Sequence, residues 1–344
     1  MFIAEFDYDL PEGAVAQTPV EPRDRARLFV DRGAGRPADH MTVADLADQL
    51  HDGDVLVVND TRVISARLAL RKSTGGAAEV FLLEPVGDGS WQALIRPARR
   101  LQPGTRLTSD DGNVVVVVGD RVEGGRSLVH IEVGGAAIAD AAQAVALDGI
   151  GQTPLPPYIT AELTDPSRYQ TVFADRPGSV AAPTAGLHLT DDLLQRIERR
   201  GVEICRVELV VGLDTFRPVM VDDLDDHVMH TEAYRVPAET LDACKEARRV
   251  VAVGTTSVRA LESAATTGEL AGRTDLFIRR PYDWKVVDVL MTNFHMPRST
   301  LLVMIDAFIG SRWRDIYTEA LTEGYRFLSF GDAMLLERNS DADL

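Results

Sequence analysis

The hydrophobic and polar positions change their period twice along the chain. The first sixty residues are mixed: "FDYDLP" and "RARLFV" read as strands, "TVADLADQLHDG" has the apolar spacing of a short helix, and "DVLVVND" reads as a buried strand ending in a turn. From Arg62 to Val133 short apolar runs follow one another with no helical spacing between them: "VISARLAL", "AEVFLLEP", "SWQALIRPA", "GNVVVVVG" and "SLVHIEV". Gly, Asp and Pro separate them, which predicts a small antiparallel barrel or sandwich. A proline-marked connector, "GQTPLPPYI", leads out. Thereafter the period alternates. "DDLLQRIERRG", "ETLDACKEARR", "TSVRALESAA" and "STLLVMIDAFIG" read as helices, and "VEICRVELVVG", "VVAVG" and "VVDVLMTNF" as strands. Alternating strands and helices predict a largely parallel sheet. The fold class expected is α/β: a discontinuous α/β body (residues 1–61 and 149–344) carrying an inserted small antiparallel β-barrel domain (residues 62–148).

Composition is that of a globular protein, with 344 residues, 45% hydrophobic and 26% charged. No apolar run approaches the roughly 20 residues needed to span a bilayer. Two cysteines without a CxxC pair fit a reducing, cytoplasmic setting. The net charge of −17 argues against a uniformly basic nucleic-acid binder, so any RNA contact needs a local basic face. "RPARR", with Arg96, Arg99 and Arg100, is one candidate, and a solvated surface is the alternative.

Three strand-to-helix turns carry candidate chemistry. In "VAVGTTSVRALES", Gly254, Thr255 and Thr256 offer backbone N–H groups and hydroxyls at a helix start, suited to a carboxylate or phosphate. An ordinary threonine cap reads the same turn equally well. In "MTNFHMPRSTLL", Asn293, His295 and Arg298 crowd one loop, with Ser299 or Thr300 available to cap. In "DDHVMHTEAY", His227, His230 and Glu232 suit acid–base work. Their spacing is not that of a metal-binding helix, and no metal is expected. A fourth segment, "GSVAAPTAGLHLT", is small-residue rich and ends in Thr190, a plausible cap for the helix that follows.

Taken together, "AQTPVEPRDRARLFV", "GDVLVVNDTRVISARL", "GQTPLPPYI", "RYQTVFADRPGSVAAPTAGLHLT", "HVMHTE", "AVGTTSVRALES", "TNFHMPRSTLL" and "YRFLSFGDAMLL" span nearly the whole chain. In this order they resemble the S-adenosylmethionine:tRNA ribosyltransferase-isomerase family of the queuosine pathway. The resemblance implies an α/β body with an inserted barrel. It also implies transfer and isomerisation of the ribosyl group of S-adenosylmethionine onto 7-aminomethyl-7-deazaguanine in a tRNA anticodon, with loss of adenine and methionine. No cofactor is implied beyond S-adenosylmethionine as co-substrate, and no membrane partner; a monomer is expected. On that reading His188, His227, His230 and Glu232 are the candidate acids and bases. Pro183, Thr184, Gly186, Gly254, Thr255, Thr256, Asn293, His295 and Arg298 would surround the adenosyl and methionine groups. Arg96, Arg99, Arg100, Tyr169, Gln170 and Arg259 would face the tRNA.

The chain departs from the family pattern in places. A histidine usual in the family is Val210 here, a glycine is Asp214, and the stretch from Arg279 to Lys285 reads "RRPYDWK". These departures keep two other expectations open: related chemistry on a small-molecule acceptor, or adenosyl or RNA binding without turnover.

Overall fold

The computed structural model describes residues 1–33, 35–87, 89–137, 146–148, 150–212 and 218–339. In chain order the strands are β1 (Arg27–Asp31), β2 (Asp39–Thr42), β3 (Val55–Asn59), β4 (Thr61–Val63), β5 (Arg67–Lys72), β6 (Ala77–Gly87), β7 (Ser90–Arg96), β8 (Arg106–Thr108), β9 (Val114–Arg121) and β10 (Ser127–Val133). They continue with β11 (Ala136–Ala137), β12 (Gly151–Gln152), β13 (Arg176–Ser179), β14 (Glu203–Leu209), β15 (Glu232–Arg235), β16 (Val250–Val253), β17 (Ala271–Thr274), β18 (Val289–Asn293) and β19 (Ala333–Glu337). The α-helices are α1 (Leu46–Gln49), α2 (Asp191–Glu198), α3 (Ala238–Glu246), α4 (Gly254–Thr267), α5 (Thr300–Ile309) and α6 (Trp313–Thr322).

Nine strands form the sheet of the body, in the order β17-β15-β14-β3-β16-β18-β19-β1-β2. The run β14-β3-β16-β18 is parallel. Residues of β3 alternate between the two faces: Val55 and Val57 join the core that holds Leu261 and Leu302, while Leu56 and Val58 join the core that holds Leu46 and Leu193. Helices therefore cover both faces, α4, α5 and α6 on one and α1 and α2 on the other, as a parallel sheet requires. Thr190 caps α2 by accepting the Leu193 N–H at 3.2 Å, and Leu193 and Ile197 form the buried stripe.

The second sheet closes on itself. Strands β10, β7, β6, β5, β8 and β9 pair antiparallel in a ring, since β9 also pairs with β10, which makes a six-stranded barrel with its own core around Leu68, Trp91 and Val116. Strand β12 pairs with β5, so residues beyond position 148 also contribute to the barrel sheet. The inserted-barrel α/β class is the observed one.

Two local expectations fail. "FDYDLP" is not a strand: its Phe6 ends the 3-10 turn Ile3–Phe6 and is buried in the body core, and residues 7–11 form neither helix nor strand. The body sheet is also less parallel than the helix–strand alternation predicts, because β19 lies antiparallel beside β18 and the β15 and β17 edge is antiparallel too.

Candidate functional site

Four parallel strands, β14, β3, β16 and β18, end on the same edge of the body sheet. A cleft of about 660 Å³, counting its mouth, opens there. Its wall is made by Pro183, Thr184 and Ala185 from the small-residue segment, Gly254 to Thr256 at the start of α4, and Thr292 to Met296 after β18.

The start of α4 is open. Gly254 has a φ of +84°, a conformation that favours glycine, and Val253 gives the helix no side-chain cap. The Thr256 hydroxyl is buried at the cleft with no hydrogen-bond partner. First-turn N–H groups and a buried unsatisfied hydroxyl make a ready receptor for a carboxylate.

Asn293 organises the opposite wall. Its carbonyl accepts the Thr184 hydroxyl at 2.8 Å, and its amide donates to Nε2 of His188 at 3.1 Å and to the Asp332 carbonyl at 3.4 Å. His295 pairs with the Thr292 hydroxyl at 3.1 Å, and its backbone N–H is held by the Tyr317 hydroxyl. Burial pushes the His295 imidazole down to about 3 and, with help from Arg326, Arg168 and Arg23, that of His188 down to about 4. Both rings are neutral near pH 7, so they donate and accept hydrogen bonds rather than carry charge.

The other expected positions divide. His188 does not line this cleft; it sits behind Asn293 with its second hydrogen bond to the backbone of Arg23. Gly186 is a packing glycine, because a Cβ there would stand 2.7 Å from the Phe173 ring. Arg298 lies outside the lining: its φ is +55°, its backbone is bonded to Phe6 and Val219, and its guanidinium is 3.7 Å from Asp7.

Two positions expected at the tRNA are buried: Tyr169 has its ring edge-on to Phe330, and Arg259 forms an ion pair with Glu232. Gln170 is half-buried, and its amide is bonded to both backbone groups of Val63. Arg96, Arg99 and Arg100 do remain exposed at the end of β7.

A second and larger cleft, about 1690 Å³, separates the barrel from the body, and His230, Glu232 and Val210 line it. Glu232 is buried. Burial alone would raise its carboxyl, but a hydrogen bond from His230, the Arg259 charge and the Gly212 N–H together hold it below the usual carboxylate range. His227 lines neither cleft; its ring is 5.4 Å from that of Phe277. Among the described residues no group of three or more His, Cys, Asp or Glu is arranged to hold a metal ion.

Sequence reasoning missed Tyr158 and Ser329, whose hydroxyls are 2.7 Å apart on the first cleft's wall, and Leu328 beside them with a φ of +69°. The signal was present, since both hydroxyls belong to quoted motifs, "LPPYI" and "YRFLSFGD". The departures from Arg279 to Lys285 line neither cleft. Arg280 makes a two-pronged pair with Asp306, and Trp284 donates to the Ala307 carbonyl against the Phe308 ring. They pack on α5 as a mutually satisfied unit. Asp214 lies outside the described residues.

The family model described as "Queuosine biosynthesis protein" matches residues 3–336. The chain belongs to that family. It is 44% identical to the S-adenosylmethionine:tRNA ribosyltransferase-isomerase of Thermotoga maritima, an alignment covering 98% of this chain and all of the relative. It is 47% identical to the protein of the same name from Symbiobacterium thermophilum, again over 98% of the chain and all of the relative. The crystal structure of S-adenosylmethionine tRNA ribosyltransferase from Thermotoga maritima superposes with a TM-score of 0.54 at 35% identity, covering 96% of this chain and 99% of that one. No helix among the described residues of this family member is long and apolar enough to cross a membrane.

Proposed function

We propose that this chain is an S-adenosylmethionine:tRNA ribosyltransferase-isomerase. It takes the ribosyl group of S-adenosylmethionine, joins it to the aminomethyl group of 7-aminomethyl-7-deazaguanine in tRNA, and leaves epoxyqueuosine, adenine and methionine. Full-length relatives carrying that name support the reading. The observation that carries it is the convergence of three motif segments, Pro183–Ala185, Gly254–Thr256 and Thr292–Met296, on one cleft at the carboxyl edge of the sheet.

S-adenosylmethionine occupies that cleft in this proposal. Its methionine carboxylate lies at the open start of α4, where the N–H groups and the Thr255 and Thr256 hydroxyls receive it. Asn293, His295 and Thr184 line the adenosyl part, and His188 acts by holding Asn293. The sulfonium acidifies the ribose 5′ carbon, so a dry wall matters: water there would compete with the acceptor amine. Arg96, Arg99 and Arg100 give the barrel a local basic face for RNA phosphate, which an overall charge of −17 does not supply. We propose further that the reaction runs in the cytoplasm, where tRNA is found, and that the enzyme acts as a monomer.

The test is one incubation with S-adenosylmethionine and tRNA carrying 7-aminomethyl-7-deazaguanine, followed by mass analysis of the digested nucleosides. Epoxyqueuosine with equal amounts of adenine and methionine is expected. Adenine release with unmodified tRNA, or S-adenosylmethionine bound without turnover, overturns the proposal.

A further inference from the structure

Most of the polar side chains that line the first cleft are spent on one another. Asn293 uses both amide hydrogens, on His188 and on the Asp332 carbonyl, and its oxygen accepts the Thr184 hydroxyl. Ser329 is bonded to Tyr158, and Ser299 donates to the Met296 carbonyl while it caps α5. What remains is the pair of hydroxyls on Thr255 and Thr256 at the start of α4, and Nδ1 of His295. The other ring nitrogen, Nε2, is 3.1 Å from the Thr292 hydroxyl, and among the described residues no further hydrogen bond reaches the imidazole. Nδ1 is not among the buried polar atoms without a partner, so it opens onto the cleft that His295 lines.

Burial decides where that ring carries its proton. Thr292 is 1% exposed, and its hydroxyl has only the imidazole to bond with. A buried O–H left without an acceptor costs more than a lone pair left without a donor, so the hydroxyl donates and Nε2 accepts. A neutral imidazole carries one N–H, which then sits on Nδ1 and faces the cleft. The backbone of His295 is fixed as well: its carbonyl accepts the Tyr8 hydroxyl at 2.5 Å, and its N–H donates to Tyr317 at 2.9 Å. Phe294 beside it packs against the rings of Phe29, Tyr325 and Phe327. A donor locked in this way needs no rearrangement when charge develops in front of it.

We propose that His295 donates its Nδ1–H to a ring nitrogen of adenine and stabilises the charge that adenine gathers as its bond to ribose breaks. The inference rests on S-adenosylmethionine occupying this cleft with its carboxylate at α4, which leaves His295 as the free donor for the adenine end. When the bond from the ribose carbon to N9 breaks, its electron pair stays on adenine and spreads onto N3 and N7. The hydrogen bond from His295 strengthens as that charge builds, so it lowers the barrier more than it tightens binding. Adenine leaves after taking up one proton. The ribose 5′ carbon and the acceptor nitrogen give up protons in the same turnover, so no outside reagent is needed, and His295 keeps its own. A neutral ring suits the place, because an imidazolium would repel the sulfonium of the same substrate.

The experiment uses the full chain in single-turnover reactions with saturating S-adenosylmethionine and 7-aminomethyl-7-deazaguanine tRNA. His295→Gln, His295→Asn and Thr292→Val are compared with the wild type, alongside thermal melting. Calorimetry reads the binding of S-adenosylmethionine and of 5′-methylthioadenosine, which keeps the adenosyl part and lacks the amino-acid end. Glutamine keeps a polar group near Nε2 and loses the donor at Nδ1, so His295→Gln is expected to be slower by about 100-fold or more. Both ligands should then lose affinity equally, by roughly three- to ten-fold. Asparagine places an amide N–H near the position of Nδ1–H, so His295→Asn is expected to be about ten-fold or more faster than His295→Gln. Thr292→Val keeps the ring but removes the hydroxyl that sets its proton, and a rate lower by roughly three-fold or more is expected. A near-normal rate for His295→Gln, His295→Asn no faster than His295→Gln, or unchanged methylthioadenosine affinity overturns the assignment. A normal rate for Thr292→Val overturns the placement of the proton. If the wild type itself forms no epoxyqueuosine, the proposed function and this inference fall together; an active wild type with an active His295→Gln removes the inference alone.

Discussion

Asn293 donates its side-chain amide to Nε2 of His188 across 3.1 Å, and both groups are sealed from water. The bond fixes which face of Asn293 turns to the cleft. Asn293→Ala removes this bond and those to Thr184 and Asp332, and should weaken S-adenosylmethionine binding by about ten-fold or more and lower the melting temperature. His188→Ala leaves Asn293 held by Thr184 and Asp332, so a loss of only a few-fold is expected. Isothermal titration of both variants checks this; complete loss of turnover in His188→Ala with binding intact would give that histidine a part in the chemistry.

Thr256→Val separates folding from binding. Its hydroxyl is buried without a partner, so an isosteric methyl should leave stability unchanged or slightly raised. S-adenosylmethionine affinity should fall by roughly ten- to a hundred-fold, the size of one hydrogen bond to a charged group. Urea melts and calorimetric binding on the same preparation read both effects.

Acid should unfold the protein early. His188 and His295 titrate near 4 and 3 in the folded state, against an ordinary value of 6.5. The unfolded chain therefore binds more protons, and stability falls as pH drops below 6.5, with the loss complete only below the folded values. The complete loss is on the order of 3 kcal/mol for His188 and about 5 kcal/mol for His295. Urea denaturation between pH 7 and 4 should show the decline, and a flatter one in His295→Gln.

Arg259→Leu leaves Glu232 without its guanidinium partner inside the protein. A destabilisation of about 3–5 kcal/mol is expected, visible as a lower denaturation midpoint. Unchanged stability would show that His230 and Gly212 suffice to hold the carboxylate.

Replacing Arg99 and Arg100 together by Ala should weaken tRNA binding and reduce its salt slope by about two, with S-adenosylmethionine binding untouched. Filter binding at several salt concentrations measures both.

The parts of the fold that local pattern governs were legible. The Thr190 cap, the buried stripe of α2 and the buried strand β3 all follow from residue types at short spacing. The turn at Gly254 was legible for the same reason, since strand, glycine and helix are contiguous. What escaped depends on distant pairing. The position of β19 between β18 and β1 is decided by sheet assembly, and nothing within its own five residues announces an antiparallel neighbour. The second cleft lies between the inserted barrel and the body, so only its Val228–Glu232 run shows in one motif, and the barrel members from Leu83 to Arg126 lie about a hundred residues or more away in sequence. Tyr169, Gln170 and Arg259 sit in motifs that the resemblance assigned to substrate, and a motif does not say whether a polar side chain faces inward.

The pairing of β1 with β19 ties the sheet to the order of synthesis. Leu28 lies beside Ala333, so β1 has only its hairpin partner β2 until about 300 further residues, down to β19, have been made. At 5–20 residues per second that interval is roughly 15–60 s. The barrel strands, by contrast, find all their ring partners within Arg67–Val133 and meet them early. During translation the nascent protein thus carries a barrel whose strands are all present beside a body with an open edge at β1, and that edge can close only once β19 has emerged.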